Sequence, residues 1–525
     1  MSSDVPQTEP AALGRRHPST KSRIIGALKL DPPELAGNGD TGKYDPTPDP
    51  DEPVVVILEL NMKYPGGLVE VTSAFEGMWE LFRDDKTRAS LRGEGLLEQS
   101  QISRKLYQAV LTRQSLVELI GIDRATHQPQ PVIFRVWPDY PMYAQIDRSA
   151  PTVKTDAARR SFNAAGAGVV WAVVDTGIDA LHPHFSALEL ARENTSGAAP
   201  NPATGGLHRD FSQLVQPNQT TPTITNAPLT DEDGHGSHVA GIIAGACPTG
   251  STPHVAGSDE ATDGGFVSRT HGPLEGMAPL CELVSIKVFR RLNGNAVTSS
   301  AAVIAALEYI LTQVNVSRST LRIHGVNLSL GCDWDPSHYA AGQSPLCQLV
   351  NELVASGVLV VISAGNNGQG VAGAKQSVGV LASITEPAHA DACITVGSTH
   401  RDAPHVFGIS WTSSKGPTLD GRAKPDVVAP GEWICSAATG LFRTAAGMDG
   451  VSTDPTLTYA EHSGTSMAAP HVSGVLAGFL SSRPEYIGRP AEVKAILTST
   501  ATDLGRDRFA QGAGLVDAMR MLSNS

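Results

Sequence analysis

The sequence predicts an α/β fold, a parallel sheet with helices on both faces, preceded by a small α+β N-terminal domain. Three observations carry this. From Gly168 onward, short continuous apolar runs recur, the first being Val169-Val170-Trp171-Ala172-Val173-Val174. Strands apolar on both sides are buried on both faces, as in a parallel sheet. Helical patterns separate these runs, and strands alternating with helices mark the parallel α/β class. Upstream, a block of different texture reads strand, two helices, strand.

Residues 1–52 are rich in Pro, Gly, Thr and Asp without periodicity and read as disordered. A strand follows at Val54–Leu60, then helices around Leu68–Phe82 and Ile102–Ile120, then a strand at Val132–Trp137. Pro138-Asp139-Tyr140-Pro141 ends this block, because proline cannot donate to a strand ladder. After the first apolar run, further strands are expected at Val284–Phe289, Gly325–Leu330, Val358–Ile362 and Ile394–Val396. Helices are expected at His238–Ala246, Ser299–Val314 and Gln348–Ala355. Glu193–Thr230 and Pro248–Pro273 are rich in turn formers and read as inserted surface loops.

Composition excludes some functions. Hydrophobic residues are 41% of the chain, so a sizeable core can form. The net charge of −13 and the absence of a long Lys/Arg cluster argue against nucleic acid or an anionic membrane as partner. No apolar run approaches the length that spans a bilayer, and no signal peptide is visible. The six cysteines are scattered without a CxxC, so they read as reduced thiols in a cytoplasmic protein.

Four fragments could carry chemistry. In Gly464-Thr465-Ser466-Met467-Ala468-Ala469-Pro470-His471 a serine sits among small residues where a turn enters a helix. Its hydroxyl is open to a substrate backbone, at the positive end of the helix, and Pro470 suits a first helical turn. Asp175 directly follows the first apolar strand, where it can be held rigidly to orient a histidine. His235 lies between glycines ahead of an apolar helix and is the natural general base near neutral pH. His238, three residues on, reads as a packed helix residue, since no metal-binding motif accompanies it. Asn366 follows the Val358–Ile362 strand and can donate toward an oxyanion together with the Ser466 N–H. Each is weak alone. Together they supply a nucleophile (Ser466), a base (His235), an orienting acid (Asp175) and an oxyanion donor (Asn366), which is what acyl transfer needs.

In the order Asp, His, Ser, the chain resembles the subtilisin-like serine peptidases, the subtilases. The local matches are Val-Val-Asp-Thr-Gly-Ile-Asp at 173–179, Gly-His-Gly-Ser-His-Val-Ala-Gly at 234–241 and Gly-Thr-Ser-Met-Ala-Ala-Pro-His at 464–471. Gly276–Pro279, Asn327–Gly331, Lys424–Gly431 and Gly512–Ala518 also match, so the resemblance covers roughly 150–525. It implies a subtilisin-like catalytic domain at 148–525 and a propeptide-like or accessory domain at 53–147. It further implies that Ser329, Leu330 and Gly331 pair with an extended protein or peptide substrate, with Leu292–Asn295 as an opposing strand. The implied activity is a serine endopeptidase that processes its own N-terminal domain and is inhibited intramolecularly by 53–147, with Tyr140–Ala150 in the cleft. No metal or other cofactor is required for the chemistry. His184 stands where many members have an acid near a calcium ion, and histidine is a poor ligand for a hard cation. A calcium site there is therefore not expected, while structural calcium elsewhere stays open. Glu386 and Asp391 could attract a basic side chain of the substrate, but they read rather as solvated loop acids. A peptide ligase or cyclase would use the same acyl-enzyme, and a catalytically silent scaffold would lack a role residue. An aspartic peptidase would need a second Asp-Thr-Gly beside Asp175-Thr176-Gly177.

Overall fold

The computed structural model describes residues 53–83, 95–103, 105–127, 129–138, 149–190, 201–214, 227–259, 265–292, 294–317, 320–333, 340–372, 376–449 and 457–525. Those up to 138 form one compact unit and those from 149 another. The expected disordered segment 1–52, the junction near 147 and the part of the proposed cleft segment up to 148 lie outside the described residues.

The first unit runs β1 (Pro53–Leu60), a helix Gly67–Arg83, β2 (Gly95–Ser103), β3 (Leu106–Thr112), a helix Arg113–Thr126 and β4 (Ile133–Pro138). The strands form one sheet in the order β2-β3-β1-β4, with β1 antiparallel to both neighbours. Val56, Leu58, Phe75, Met78 and Leu119 meet in its core. The helix expected over Ile102–Ile120 is instead the end of β2, all of β3 and the start of the second helix. The cause is visible in the burial. Tyr107, Ala109 and Leu111 are buried at alternate positions, a period of two. Thr112 then caps the helix, its hydroxyl accepting from Ser115 N.

The second unit is built on a seven-stranded parallel sheet. Its strands are β5 (Val170–Asp175), β6 (Arg209–Asp210), β9 (Glu282–Lys287), β12 (Gly325–Leu328), β13 (Leu359–Ser363), β16 (Ile394–Thr399) and β17 (Val427–Pro430). They lie in the order β17-β16-β13-β12-β5-β9-β6. Strand alternation divides β5 between two cores. Trp171 and Val173 pack with the helices His235–Ile243 and Thr465–Ser482, whereas Val170, Ala172 and Val174 pack with Ser300–Tyr309 and Pro345–Ala355. No helix among the described residues is long and apolar enough to cross a membrane.

The insertions are more ordered than loops. Within Pro248–Pro273, β7 (His254–Asp259) and β8 (Gly265–Thr270) form an antiparallel hairpin. Strand β7 joins β19 (Thr458–His462) in parallel, and β18 (Ile434–Ala437) completes a second sheet. The stretch Glu193–Thr230 supplies the edge strand β6. Two small hairpins, β10 (Arg290–Leu292) with β11 (Asn295–Val297) and β14 (Gln369–Ala372) with β15 (Gln376–Gly379), complete the strands. Leu292 ends β10 and faces Asn295, the first residue of β11, and residue 293 between them lies outside the described residues. All six cysteines are free, five buried and Cys332 exposed.

One contact in the sheet fixes a residue type. A β-carbon at Gly325 would lie 2.3–2.4 Å from three ring carbons of the fully buried Trp171 on the neighbouring strand. Gly325→Val is therefore expected to destabilise the second unit by about 1–3 kcal/mol through overpacking. The measurement is the urea midpoint, which should fall without a change of slope.

Candidate active site

In a parallel sheet the carboxyl ends of the strands share one edge, where open α/β sheets place their sites. Asp175 is the last residue of β5, and Asn366 follows β13 by three residues. His235 opens the helix His235–Ile243, and Ser466 is the second residue of the helix Thr465–Ser482. The fold thus brings all four predicted residues to one edge.

Asp175 is wholly buried. Its Oδ1 accepts from the Thr176 N–H at 2.8 Å and pairs with His235 Nδ1 at 2.7 Å. The carboxylate is the acceptor, so the proton sits on Nδ1 and Nε2 is left for other work. Burial pushes the His235 pKa down from its ordinary 6.5, but the charge and hydrogen bond of Asp175 outweigh this, and the net shift is upward. About a fifth of the His235 side chain remains exposed.

A second buried carboxylate, Asp231, holds the frame and was not foreseen. Its Oδ1 accepts from Thr176 Oγ1 and Gly234 N, both at 2.9 Å, and its Oδ2 from Ser237 N and Oγ, both at 2.8 Å. Thr176 Oγ1 also accepts from Gly236 N at 2.8 Å. Asp231 therefore ties the strand end that carries Asp175 to the turn that carries His235. Burial raises its pKa, and these donors act against that rise. The run of acids Asp231-Glu232-Asp233 before Gly234-His235 was the available signal.

Ser466 owes its position to three neighbours. Gly464 has φ +152°, and a β-carbon there would lie 3.3 Å from Asn366 Nδ2. Asn366 Oδ1 accepts from Thr465 N at 3.0 Å and Thr465 Oγ1 at 3.1 Å. An acceptor is required on that side, so the Asn366 NH₂ faces the other way, free to donate. The third neighbour corrects an expectation. Pro470 lies inside the helix, not in its first turn. It has no N–H for the Ser466 carbonyl four residues earlier. Ser329 Oγ donates to that carbonyl at 2.8 Å instead. Behind it, Asn327 Nδ2 donates to Ser329 Oγ and Ser473 Oγ donates to Asn327 Oδ1, both at 2.9 Å. Ser329 thus braces the helix of Ser466 through its side chain. Its carbonyl accepts the Ser466 hydroxyl at 3.2 Å.

Two hollows flank Ser466. One, of about 550 Å³, is lined by His235, Phe289, Val297, Leu330, Leu346 and Pro387 among others. The second, of about 340 Å³, lies on the Asn366 side. Leu330 and Gly331 border both. Glu386 also lines the first hollow. It is only 2% exposed, so it is not the solvated acid that the sequence suggests. Burial raises its pKa, but hydrogen bonds with His389 and Ser344 more than offset that, and it falls below the ordinary carboxylate value. Asp391 is solvated, with 83% of its side chain exposed.

The neighbouring histidines are core residues. His238 is fully buried with Nε2 on Ala460 O at 3.0 Å, and burial drives its pKa well down. His184 is fully buried between Gly241 O at 3.1 Å and Tyr459 OH at 3.2 Å. Burial lowers its pKa to about 3. No group of three or more His, Cys, Asp or Glu suited to a metal ion occurs among the described residues.

A family model described as the subtilase family matches residues 166–515. The chain is 32% identical over 288 residues to subtilisin DY of Bacillus licheniformis, covering 55% of this chain and 77% of that one. It is 29% identical over 371 residues to serine protease AprX of Bacillus subtilis, covering 69% and 68% respectively. It is also 31% identical over 326 residues to pyrolysin of Pyrococcus furiosus, 55% of this chain and 21% of that one.

The Ser329–Ser466–Pro470 arrangement can be tested by stability. Ser329→Ala should cost about 1–3 kcal/mol, because it orphans a part-buried carbonyl. In the Pro470→Ala background the restored N–H takes over that carbonyl, so the double variant should lose about 1 kcal/mol less than the sum of the singles. Urea denaturation of the four proteins measures this.

Proposed function

The chain belongs to the subtilase family and is a serine-type endopeptidase, and we propose that it cleaves peptide bonds through an acyl-enzyme on Ser466. The observation that carries the reading is the bond from buried Asp175 to His235 Nδ1, at the same sheet edge as Ser466 and Asn366. When substrate enters alongside Ser329-Leu330-Gly331, the Ser466 hydroxyl turns from Ser329 O to His235 Nε2. Its Oγ attacks the scissile carbonyl carbon while its proton passes to Nε2. The imidazolium so formed is stabilised by Asp175. The oxyanion accepts from Asn366 Nδ2 and the Ser466 N–H. Collapse breaks the C–N bond, and His235 gives its proton to the leaving amine. Water, with His235 again as base, then releases the acyl group and restores Ser466.

Self-processing belongs to the same proposal. The described part of 53–147 has its own core and a separate sheet, so a cut in the segment that follows it leaves both units intact. In this reading residues 53–147 restrain the enzyme until the cut is made. That role is supported by their place ahead of the catalytic residues.

The test is peptide hydrolysis by the full chain and three variants. Ser466→Ala should abolish turnover. Asn366→Ala should lower kcat about a hundred- to a thousandfold with little change in KM, a magnitude borrowed from another member of the family. Because the base must be neutral and its pKa is raised, the acid limb of kcat/KM should lie above 6.5 in the wild type. Asp175→Asn removes the opposing charge, so burial prevails and the limb should move to lower pH as turnover collapses. Intact mass after incubation should show loss of the N-terminal block in the wild type only. Hydrolysis by Ser466→Ala equal to wild type would refute the proposal.

A further inference from the structure

The two hollows beside Ser466 differ in chemistry, and this difference bears on the substrate. The inference rests on Ser466 being the nucleophile. We propose that Asp333, in the hollow on the Asn366 side, selects lysine or arginine as the residue whose carbonyl is attacked.

The placement follows from the chemistry of the attack. The oxyanion must lie within reach of Asn366 Nδ2, and the attacked carbon is bonded to the carbon that carries the substrate side chain. That side chain enters the hollow that Asn366 and Ser466 share. Side chains of an extended substrate alternate in direction, so its neighbour leaves on the other side.

The hollow is polar. Asp333, Asn367, Ser363 and Thr385 line it, and Leu330 is the one large apolar side chain among its described lining residues. Thr385 is buried and fixed by its bond to Ala364 O at 3.3 Å. Asp333 is the single carboxylate among those residues, and no lysine or arginine is among them. Its Oδ1 accepts from Asn367 Nδ2 at 2.9 Å, which fixes the carboxylate. A carboxylate has acceptor sites for several donors, so that bond leaves room for an ammonium or guanidinium. Lys415, whose ammonium reaches the carbonyl of Gly368 beside Asn367 at 3.4 Å, is turned to the carbonyls of Trp411 and Ser413 at 3.1 and 2.9 Å. Two backbone hydrogen bonds of 2.8 and 3.1 Å tie Cys332, the residue before Asp333, to Glu386 and steady this wall. A volume of about 340 Å³ admits an extended lysine. A large apolar side chain would desolvate Asp333, Asn367 and Thr385 without replacing their hydrogen bonds, which is unfavourable.

The experiment uses the full chain and peptides that differ only in the residue before the scissile bond: lysine, arginine, norleucine or glutamate. Norleucine matches the lysine stem without its charge. Asp333 is exposed, so the carboxylate–cation pair is screened and its effect is modest, about fivefold. The wild type should cleave the lysine and arginine peptides about fivefold better in kcat/KM than norleucine, and glutamate least. In Asp333→Asn, which keeps the shape of an exposed side chain, the lysine-to-norleucine ratio should fall about fivefold. A fluorophosphonate probe run alongside separates the two ways of failing. Labelled Ser466 with norleucine preferred, or with a ratio unmoved in Asp333→Asn, overturns the specificity proposal. Failure to label Ser466 in an enzyme that still cleaves overturns the nucleophile reading on which it rests.

Discussion

A charged group taken out of water must be met by donors, and here that requirement is concentrated in Asp175. The carboxylate ends a strand in the interior of the sheet and has no solvent exposure. Its Oδ2 has no hydrogen-bond partner among the described residues, so Oδ1 carries the compensation, through the Thr176 N–H and His235 Nδ1. An unpaired buried charge costs several kcal/mol. The His235 ring is therefore held where Asp175 needs it, with Nε2 turned outward. Asp231 makes this geometry durable by binding Thr176 on one side and the Gly234–Ser237 turn on the other.

The same residue type does other work elsewhere in the second unit. His184, His238 and His471 are fully buried without an adjacent carboxylate, and burial lowers the pKa of all three. Each is held by local acceptors, as His471 is by Met467 O and Ser149 Oγ, both at 2.8 Å. Environment, not composition, separates the proposed proton carrier His235 from the packing histidines. His235 alone among these four has a carboxylate on Nδ1 and an exposed edge.

Much of this was legible in the sequence. The β5, β9, β12, β13 and β16 strands announce themselves as apolar runs because both their faces are buried, and the Asp, His, Ser order places the chain in its family. What was not legible depends on long-range partners. Leu106–Thr112 resembles a continuation of the following helix until its pairing with β1 imposes a period of two. The hairpin within Pro248–Pro273 is specified by docking on β19, which is remote in sequence. Pro470 fits a first turn by local rules. Its true place is tolerated because Ser329, far away in the chain, donates to the carbonyl that the proline leaves open. Glu386 looked like a loop acid because nothing near it in sequence reveals His389 and Ser344 as its buried partners.

The central claim is that the sheet edge presents Ser466 as an activated nucleophile. Intact mass after treatment with a fluorophosphonate probe, followed by peptide mapping, tests it most directly. The account predicts a single adduct on Ser466 in the wild type and none in Ser466→Ala. A wild type that takes no adduct, or an adduct that persists in Ser466→Ala, would contradict it.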